Sequence, residues 1–352
     1  MERPQGVYTT DGPVDPTQLG ITLIHEHIFF DLSFMFGEPA CLEERELAYQ
    51  RINLANHYWV RTHPANNRDN AILRDAGDAL RDLEGVAASG VKTVVDVSMR
   101  GEGFPFDPVA IKTIGNQTNL QMVTGTGYYI DPSIPEVVKN LAVDRLAEEM
   151  IADLTNGYPD SDFRAGVIGE IGSSYPVTLA EERVMRAAAI AQRKTGAALY
   201  LHPGYAKDAV MEVANRIEQY GANTSKVILC HVDSRLRGDH QQYKELAERG
   251  FYLGFDTFGR EQYIQFIGQQ HPSDAQRIQW IYELAQAGLL DKVLISSDIC
   301  WKSELVEYGG YGRAHITRNV KPRLRQSGFS EDAVRQLLET NPGVVLSRPL
   351  LG

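Results

Sequence analysis

The most constraining feature of this sequence is a regular alternation of short apolar runs and helical segments. Eight runs rich in β-branched residues and leucine predict buried strands, at residues 21–28, 92–98, 120–129, 165–172, 198–202, 226–231, 252–255 and 292–298. The intervening and following segments predict helices, at residues 76–88, 107–116, 134–156, 179–195, 206–220, 241–249, 274–287, 320–326 and 332–340. Continuous apolar strands belong in parallel sheets that are covered on both faces. Eight such units predict an α/β fold, a closed (β/α)8 TIM barrel, rather than an open doubly wound sheet.

The domain organisation follows from the same alternation. The 352 residues fit one barrel, and no linker rich in proline, serine or charge indicates a second unit, so we expect a single domain over residues 1–352. No glycine-rich phosphate loop follows the first strand, which argues against a dinucleotide-binding fold. Residues 31–75 separate the first strand from its helix. An insertion of this length is expected to cap a site or to form a subunit contact.

Composition excludes several classes of partner. The formal net charge is −11 without any long basic cluster, so nucleic acid and anionic membranes are not expected as partners. No stretch of about 18 apolar residues predicts a membrane span, and the first residues lack the apolar core of a signal peptide. The three cysteines, Cys41, Cys230 and Cys300, form no paired motif. A reducing cytoplasm is the expected location.

Side chains that can bind a metal occur at the carboxyl ends of five predicted strands. They are His25 and His27 on the first strand, Glu170 on the fourth, His202 on the fifth, His231 on the sixth and Asp298 on the eighth. In a barrel these strand ends meet at one rim, where the active sites of this fold lie. The two neighbouring histidines alone could be an ordinary hydrogen-bonded pair. Four of the nine histidines at such positions are difficult to attribute to packing.

This set of ligands suits two divalent ions rather than one. One ion could take His25, His27 and Asp298, the other His202 and His231, and the two oxygens of Glu170 could bridge them. Mixed imidazole and carboxylate ligation suits zinc, which we expect, or manganese, iron or cobalt. Two such cations lower the pKa of a shared water, so that a bridging hydroxide is available at pH 7. Asp298 would then accept the proton of the hydroxide and pass it to a leaving group.

These residues together resemble the phosphotriesterase-related branch of the amidohydrolase superfamily. The similarity extends from Leu19 and Gly20 to Asn341 and Pro342, and its specific local matches lie at residues 126–129, 166–172 and 296–298. The resemblance implies a (β/α)8 barrel, a binuclear metal centre and hydrolysis by a bridging hydroxide.

One residue departs from the best-known members of that branch. The organophosphate-hydrolysing and lactonase members carry a carboxylated lysine on the fourth strand, whereas Glu170 occupies this place here. The chain thus resembles the glutamate-bridged subgroup, which includes the phosphotriesterase homology and phosphotriesterase-related proteins. Glutamate is shorter than a carboxylated lysine, so efficient phosphotriester turnover is not expected. A carboxylic ester, lactone or small N-acyl amide is the expected substrate, and N-acyl amides of amino-sulfonates or amino acids are candidates.

Two further residues are candidates for the site. Tyr129 follows the third strand and resembles a family tyrosine that donates a hydrogen bond near the second metal. Alternatively, it is an aromatic residue packed on the rim. Arg235 follows His231 in the same loop and could hold a substrate carboxylate or sulfonate. Alternatively, it forms a surface salt bridge, for example with Asp233.

The remaining polar residues are weaker candidates. The glycine-rich loop at residues 299–316 is typical of a substrate-contacting loop, and Arg313 and His315 are its candidate contacts. Asp256 is expected to shape the rim after the seventh strand. Glu26 is expected to point away from the metals, because side chains alternate along a strand. Asp96 has no assigned role.

The expected partners are a small-molecule substrate, which can be anionic, and a second copy of the chain in a homodimer. Two alternatives to the ester, lactone or amide hydrolase stay open: a phosphotriester hydrolase, and a metal-binding relative that no longer catalyses. A Schiff-base lyase would need a lysine at the carboxyl end of a strand. Lys92 and Lys292 instead lie at strand starts, which argues against that chemistry.

Overall fold

A ring of eight short parallel strands forms the centre of the molecule. The computed structural model describes residues 4–101, 106–159 and 161–350. The strands are β1 (Thr22–Glu26), β2 (Thr93–Asp96), β3 (Gln121–Thr124), β4 (Ile168–Gly172), β5 (Leu199–His202), β6 (Val227–Leu229), β7 (Tyr252–Phe255) and β8 (Val293–Ile295). Each lies within a segment that the sequence predicts as a strand, and all of their residues but Gln121 are buried.

The ring closes through hydrogen bonds between neighbouring strands. Parallel ladders join β1 to β2 and β2 to β3. Further parallel ladders join β4, β5, β6, β7 and β8 in that order. The amide of Gly169 donates to the carbonyl oxygen of Thr126 at 2.7 Å and bridges β3 to β4. The amide of Asp298 donates to the carbonyl oxygen of His25 at 3.2 Å and bridges β8 to β1. The predicted (β/α)8 TIM barrel is confirmed.

Apolar side chains fill the barrel and separate it from the surrounding helices. Val95, Val123 and Leu294 belong to a buried cluster inside the ring, and a larger cluster lies between strands and helices. The helices are Leu42–Tyr49, His57–Thr62, Ala76–Ala88, Pro108–Thr118, Glu136–Lys139, Val143–Thr155, Leu179–Thr195, Ala209–Gln219, Val232–Leu236, His240–Glu248, Asp274–Gln286, Lys321–Gln326, Glu331–Arg335 and Asn341–Leu346. Short 3₁₀ turns occur in the connections.

The prediction of one long helix over residues 134–156 is wrong. The chain forms two helices, Glu136–Lys139 and Val143–Thr155, because Ala142 between them adopts an extended backbone (φ −66°, ψ 146°). The helix predicted over residues 332–340 instead continues to Leu346. It passes through a π-helical segment, Gln336–Thr340, that precedes Pro342. Widening the turn relieves the clash between the proline ring and the preceding turn.

The insertion at residues 31–75 folds over the carboxyl ends of the strands. A two-stranded ladder between Phe30–Asp31 and Ile72–Leu73 closes its base. Leu32, Met35 and Pro64 from this segment line the cavity above β1, so the insertion covers the rim.

Further short strands lie outside the ring. At the opposite end of the barrel, Gln5–Thr9 pairs with Gly12–Val14 and with Arg348–Pro349. Tyr263–Ile264 and Gln269–Gln270 form a hairpin after β7. Within the described ranges, no helix is long and apolar enough to cross a membrane.

Candidate metal centre

Six predicted ligands converge at the carboxyl end of the barrel. His25, His27, Glu170, His202, His231 and Asp298 are between 0% and 6% exposed. Neutral imidazoles and carboxylates so deeply buried need compensating partners. The structure brings all six together, as the sequence predicts from their strand ends.

Glu170 lies between the two sets of histidines. Its Oε1 is 2.9 Å from Nε2 of His231, 3.1 Å from Nδ1 of His202 and 3.5 Å from Nε2 of His25. Its other oxygen, Oε2, is 3.8 Å from Nε2 of His27. One carboxylate therefore faces all four imidazoles.

Asp298, which follows the neighbouring strand β8, faces the histidines of β1. Its Oδ1 is 3.4 Å from Nε2 of His27 and 3.6 Å from Nε2 of His25. Its Oδ2 is 3.7 Å from Nδ1 of His231. Asp298 and His231 both have left-handed backbone conformations, with φ of 48° and 57°. Such values are uncommon for residues other than glycine and occur frequently at functional sites.

The spacing of these atoms fits a metal better than direct hydrogen bonding around β1. Two ligand atoms that share a tetrahedral zinc ion lie about 3.4 Å apart. The distances among His25, His27 and Asp298 are of this size. Nε2 of His25 has no hydrogen-bond partner among the described residues, although the residue is fully buried. The ligand atoms of His25, His231 and Asp298 lie within 4.8 Å of one another, as do those of Glu170, His202 and His231.

Asp256 holds two of the imidazoles from below, which the sequence reasoning missed. Its Oδ1 is 2.8 Å from Nδ1 of His231, and its Oδ2 is 3.0 Å from Nδ1 of His25. It also accepts a hydrogen bond from the amide of His231 at 2.9 Å. Asp256 directly follows β7, as the sequence indicates, and the residue is 1% exposed. A carboxylate in this position orients metal-binding imidazoles and fixes their tautomer.

The electrostatics of the cluster favour added cations. Burial disfavours the charged imidazole of His25, yet the carboxylates of Asp256 and Glu170 raise its pKa to about 9. Burial alone would raise the pKa of Glu170, but His202 and His25 hold it well below its usual range. Burial lowers the pKa of His202 to about 4 despite Glu170. Metal binding at His25 would therefore compete with a proton on its imidazole.

Arg260 is a second residue that the sequence reasoning missed. It follows β7, and its Nη1 lies 3.2 Å from Oδ2 of Asp298, while its Nη2 donates to the Asp298 carbonyl at 2.7 Å. Glu304 holds the same guanidinium at 2.6 Å. No sequence pattern marks Arg260, because it lies five residues beyond the strand end, in an irregular loop.

A cavity opens above the cluster and includes both weaker candidates, Tyr129 and Arg235. The Tyr129 hydroxyl lies 3.1 Å from Nδ1 of His202. Arg235 is 7% exposed and stacks over Tyr205, with 4.0 Å between its Cζ and the ring centre. Its guanidinium donates to the Pro203 carbonyl and to the Ser234 hydroxyl, and it has no carboxylate partner among the described residues. The alternative of a surface salt bridge with Asp233 is wrong, since Arg235 is buried and Asp233 pairs elsewhere.

Arg313 and His315, the candidate substrate contacts of the loop at residues 299–316, are buried beneath the site. Arg313 is fully buried and donates to Asp82 and to the carbonyl of His27. His315 is 1% exposed, and its Nε2 lies 2.6 Å from Asp274. Neither borders the cavity, so their prediction as substrate contacts is wrong.

Four other residues of the loop and strand ends have definite places. Cys300 and Trp301 border the cavity, while the sulfur of Cys230 belongs to a metal-compatible group with His25 and Glu170. Asp96 accepts hydrogen bonds from the amides of Ser98 and Ile28 at 2.8 and 3.3 Å. It therefore ties the end of β2 to the end of β1.

Comparison with known proteins assigns this site to a family. Residues 5–346 match the sequence profile of the phosphotriesterase family. The chain belongs to the phosphotriesterase family. The predicted resemblance is therefore confirmed, and the chain is a hydrolase of this family.

Individual relatives extend the likeness over nearly the whole chain. An N-acetyltaurine hydrolase from Dictyostelium discoideum is 34% identical, over 98% of this chain and 99% of the relative. The crystal structure of a resiniferatoxin-binding protein from Rhodobacter sphaeroides is 36% identical, with a TM-score of 0.93, over 97% of this chain and 94% of that one. The phosphotriesterase homology protein of Escherichia coli, solved with phosphate in its active site, is 28% identical, with a TM-score of 0.76, over 95% and 100%.

Proposed function

We propose that this phosphotriesterase-family protein is a two-metal hydrolase of carboxylic esters, lactones or small N-acyl amides. The observation that carries the proposal is the position of Glu170, whose carboxylate faces four buried imidazoles from β1, β5 and β6. A carboxylate in this place can bind one ion with each oxygen.

The ligands divide into two sets around that carboxylate. His25, His27 and Asp298 would hold one ion, His202 and His231 the other, and Glu170 would bridge them. Zinc is the proposed metal, and manganese, iron and cobalt suit the same donors. Two bound ions would supply an activated water near neutral pH and would polarise the carbonyl of the substrate.

Asp298 and Tyr129 are the proposed catalytic side chains. Asp298 accepts the proton of the attacking water and delivers it to the leaving group, because its carboxylate faces both the cluster and the cavity. Burial would raise the pKa of Asp298, but His231 and Arg260 hold it below the usual range. The Tyr129 hydroxyl beside His202 donates a hydrogen bond to the substrate at the edge of the cluster.

Arg235 gives the substrate preference within this class. A buried guanidinium at the edge of the cavity, with no carboxylate partner in the described part of the chain, favours a substrate with an anionic group. The relative from Dictyostelium discoideum hydrolyses N-acetyltaurine, the amide of an amino-sulfonate. We therefore propose an N-acyl amide with an anionic end as the preferred substrate, ahead of lactones and phosphotriesters.

A substrate screen on the metal-loaded protein tests this proposal. It compares N-acetyltaurine, a neutral N-acetyl alkylamide of equal length, a set of lactones and a dialkyl aryl phosphate. We expect the anionic amide to have the highest kcat/KM. Arg235→Met should raise KM for this amide about tenfold, equivalent to about 1.4 kcal/mol, with little effect on the neutral amide.

The same substitution at the exposed Arg237, directly after the helix Val232–Leu236 that carries Arg235, is the matched control. Equal kcat/KM for the charged and neutral amides would contradict the assignment of Arg235. Preferred turnover of the aryl phosphate would contradict the carboxylic substrate class.

A further inference from the structure

Glu26, between the two histidines of β1, points away from the metal centre into a buried set of hydrogen-bond donors. The residue is 0% exposed. Its Oε1 accepts hydrogen bonds from the Ser296 hydroxyl at 2.8 Å and from the Ser297 amide at 3.0 Å. Its Oε2 accepts one from the Ile299 amide at 3.2 Å. A side chain of β1 is therefore bound to the turn that follows β8.

The two amides flank Asp298, whose backbone is left-handed. An aspartate with φ of 48° stays in that conformation only where its surroundings hold it. Hydrogen bonds to the residues immediately before and after it fix the chain on both sides. The amide of Asp298 itself donates to the carbonyl of His25, so the turn is bound to β1 at three successive amides.

Arg313 holds Glu26 in place from the opposite side. Its Nε lies 3.5 Å from Oε2 of Glu26, and its other nitrogens donate to Asp82 and to the His27 carbonyl. Both Glu26 and Arg313 are fully buried, so the pair is little screened by solvent. Arg313 thus contacts the backbone of His27, which is one predicted ligand. It also contacts the carboxylate of Glu26, which binds the turn around Asp298, another predicted ligand.

We propose that Glu26 is a positioning residue for Asp298, fixing the turn at residues 296–299 so that the Asp298 carboxylate faces the metal centre. The inference rests on the proposed catalytic role of Asp298. It assigns to the middle residue of His25-Glu26-His27 a role that the flanking histidines do not share. Glu26 acts through the backbone on each side of Asp298 and touches no substrate.

Glu26→Gln tests the assignment, because the amide keeps the size of the side chain but replaces one acceptor oxygen with a donor. We expect kcat to fall at least about tenfold and KM to stay within about twofold of the parent value. The reason is that a displaced Asp298 carboxylate affects the reacting state rather than substrate binding. Metal content should stay near that of the parent. A crystal structure of the variant should show the Asp298 backbone displaced from its left-handed conformation.

The matched control is Glu181→Gln, which alters an equally buried glutamate that binds the amides of Asp131, Ser174 and Thr178. It should leave kcat within about twofold. If Glu26→Gln does not fold, Ser296→Ala removes one donor to Glu26 and should lower kcat by a smaller factor, about threefold.

Two outcomes would overturn the inference. One is a Glu26→Gln variant with parental kcat and an unchanged Asp298 turn. The other is a loss of activity in proportion to lost metal. If the parent hydrolyses none of the screened substrates, the proposed function fails, and the crystal structure of the variant still decides whether Glu26 fixes the turn.

Discussion

Two buried polar clusters lie side by side in this barrel, and they satisfy their charges in different ways. The first is the candidate metal centre. The second, here called the Arg277 cluster, consists of Asp233, Thr257, Asp274, Arg277 and His315, all at most 1% exposed. Arg277 lies 2.6 Å from Asp233 and 3.2 Å from Asp274.

The Arg277 cluster contains its own permanent cation. The five N–H groups of Arg277 face five acceptors, in Asp233, Thr257, Arg260, Pro272 and Asp274. The two acids thus face a permanent cation, Arg277, and Asp274 also contacts His315 and Arg323. The metal centre instead sets three carboxylates, including Asp256, against four imidazoles, and Arg260 contacts Asp298 at its edge. The contrast indicates that the Arg277 cluster holds the fold together, whereas the metal centre is arranged to receive cations.

Breaking the metal centre at Asp298 should have the largest effect on activity. Asp298→Asn removes the proton acceptor, so we expect kcat to fall about 10²–10⁴-fold, the range for a general acid–base group. Most of the metal should stay bound, because four histidines and Glu170 remain. Steady-state kinetics with elemental analysis of the same samples measures both.

The control for this change is Asp291→Asn, an exposed aspartate just before β8, which should behave like the parent. Near-parental turnover of Asp298→Asn would remove Asp298 as the proton acceptor and weaken the contrast between the two clusters.

Breaking the Arg277 cluster should instead reduce stability and leave catalysis nearly intact. Arg277→Met removes the cation that Asp233 and Asp274 contact. Removing one partner of a buried ion pair typically lowers the free energy of unfolding by about 3–5 kcal/mol. We expect a clear fall in the denaturation midpoint, with kcat per folded molecule within about threefold. Denaturant unfolding and active-site-normalised kinetics measure the two quantities.

Arg145→Met, which removes an exposed ion pair with Glu148, is the comparison and should leave the midpoint nearly unchanged. A kcat loss for Arg277→Met as large as that for Asp298→Asn, at parental stability, would show that the two clusters do not have separate roles.

Sequence reasoning located the metal centre because its residues follow strand ends, where a barrel brings distant positions together. His202 and Glu170 are examples, since each closes an apolar run. It did not predict the contacts of Asp256 and Arg260. Those contacts depend on which imidazole or carboxylate each side chain faces, and periodicity does not give that information. Arg313 was misplaced for a related reason: its loop is rich in glycine, yet the side chain turns inward to a backbone carbonyl.

The metal count per chain tests the central claim most directly. After loading with zinc and removal of free metal, elemental analysis should find close to two ions per chain, and Glu170→Ala should lower this number. Reconstitution should not respond to bicarbonate, because a glutamate needs no carbon dioxide to bridge. Fewer than one ion per chain, or activity that depends on bicarbonate, would contradict a glutamate-bridged two-metal centre.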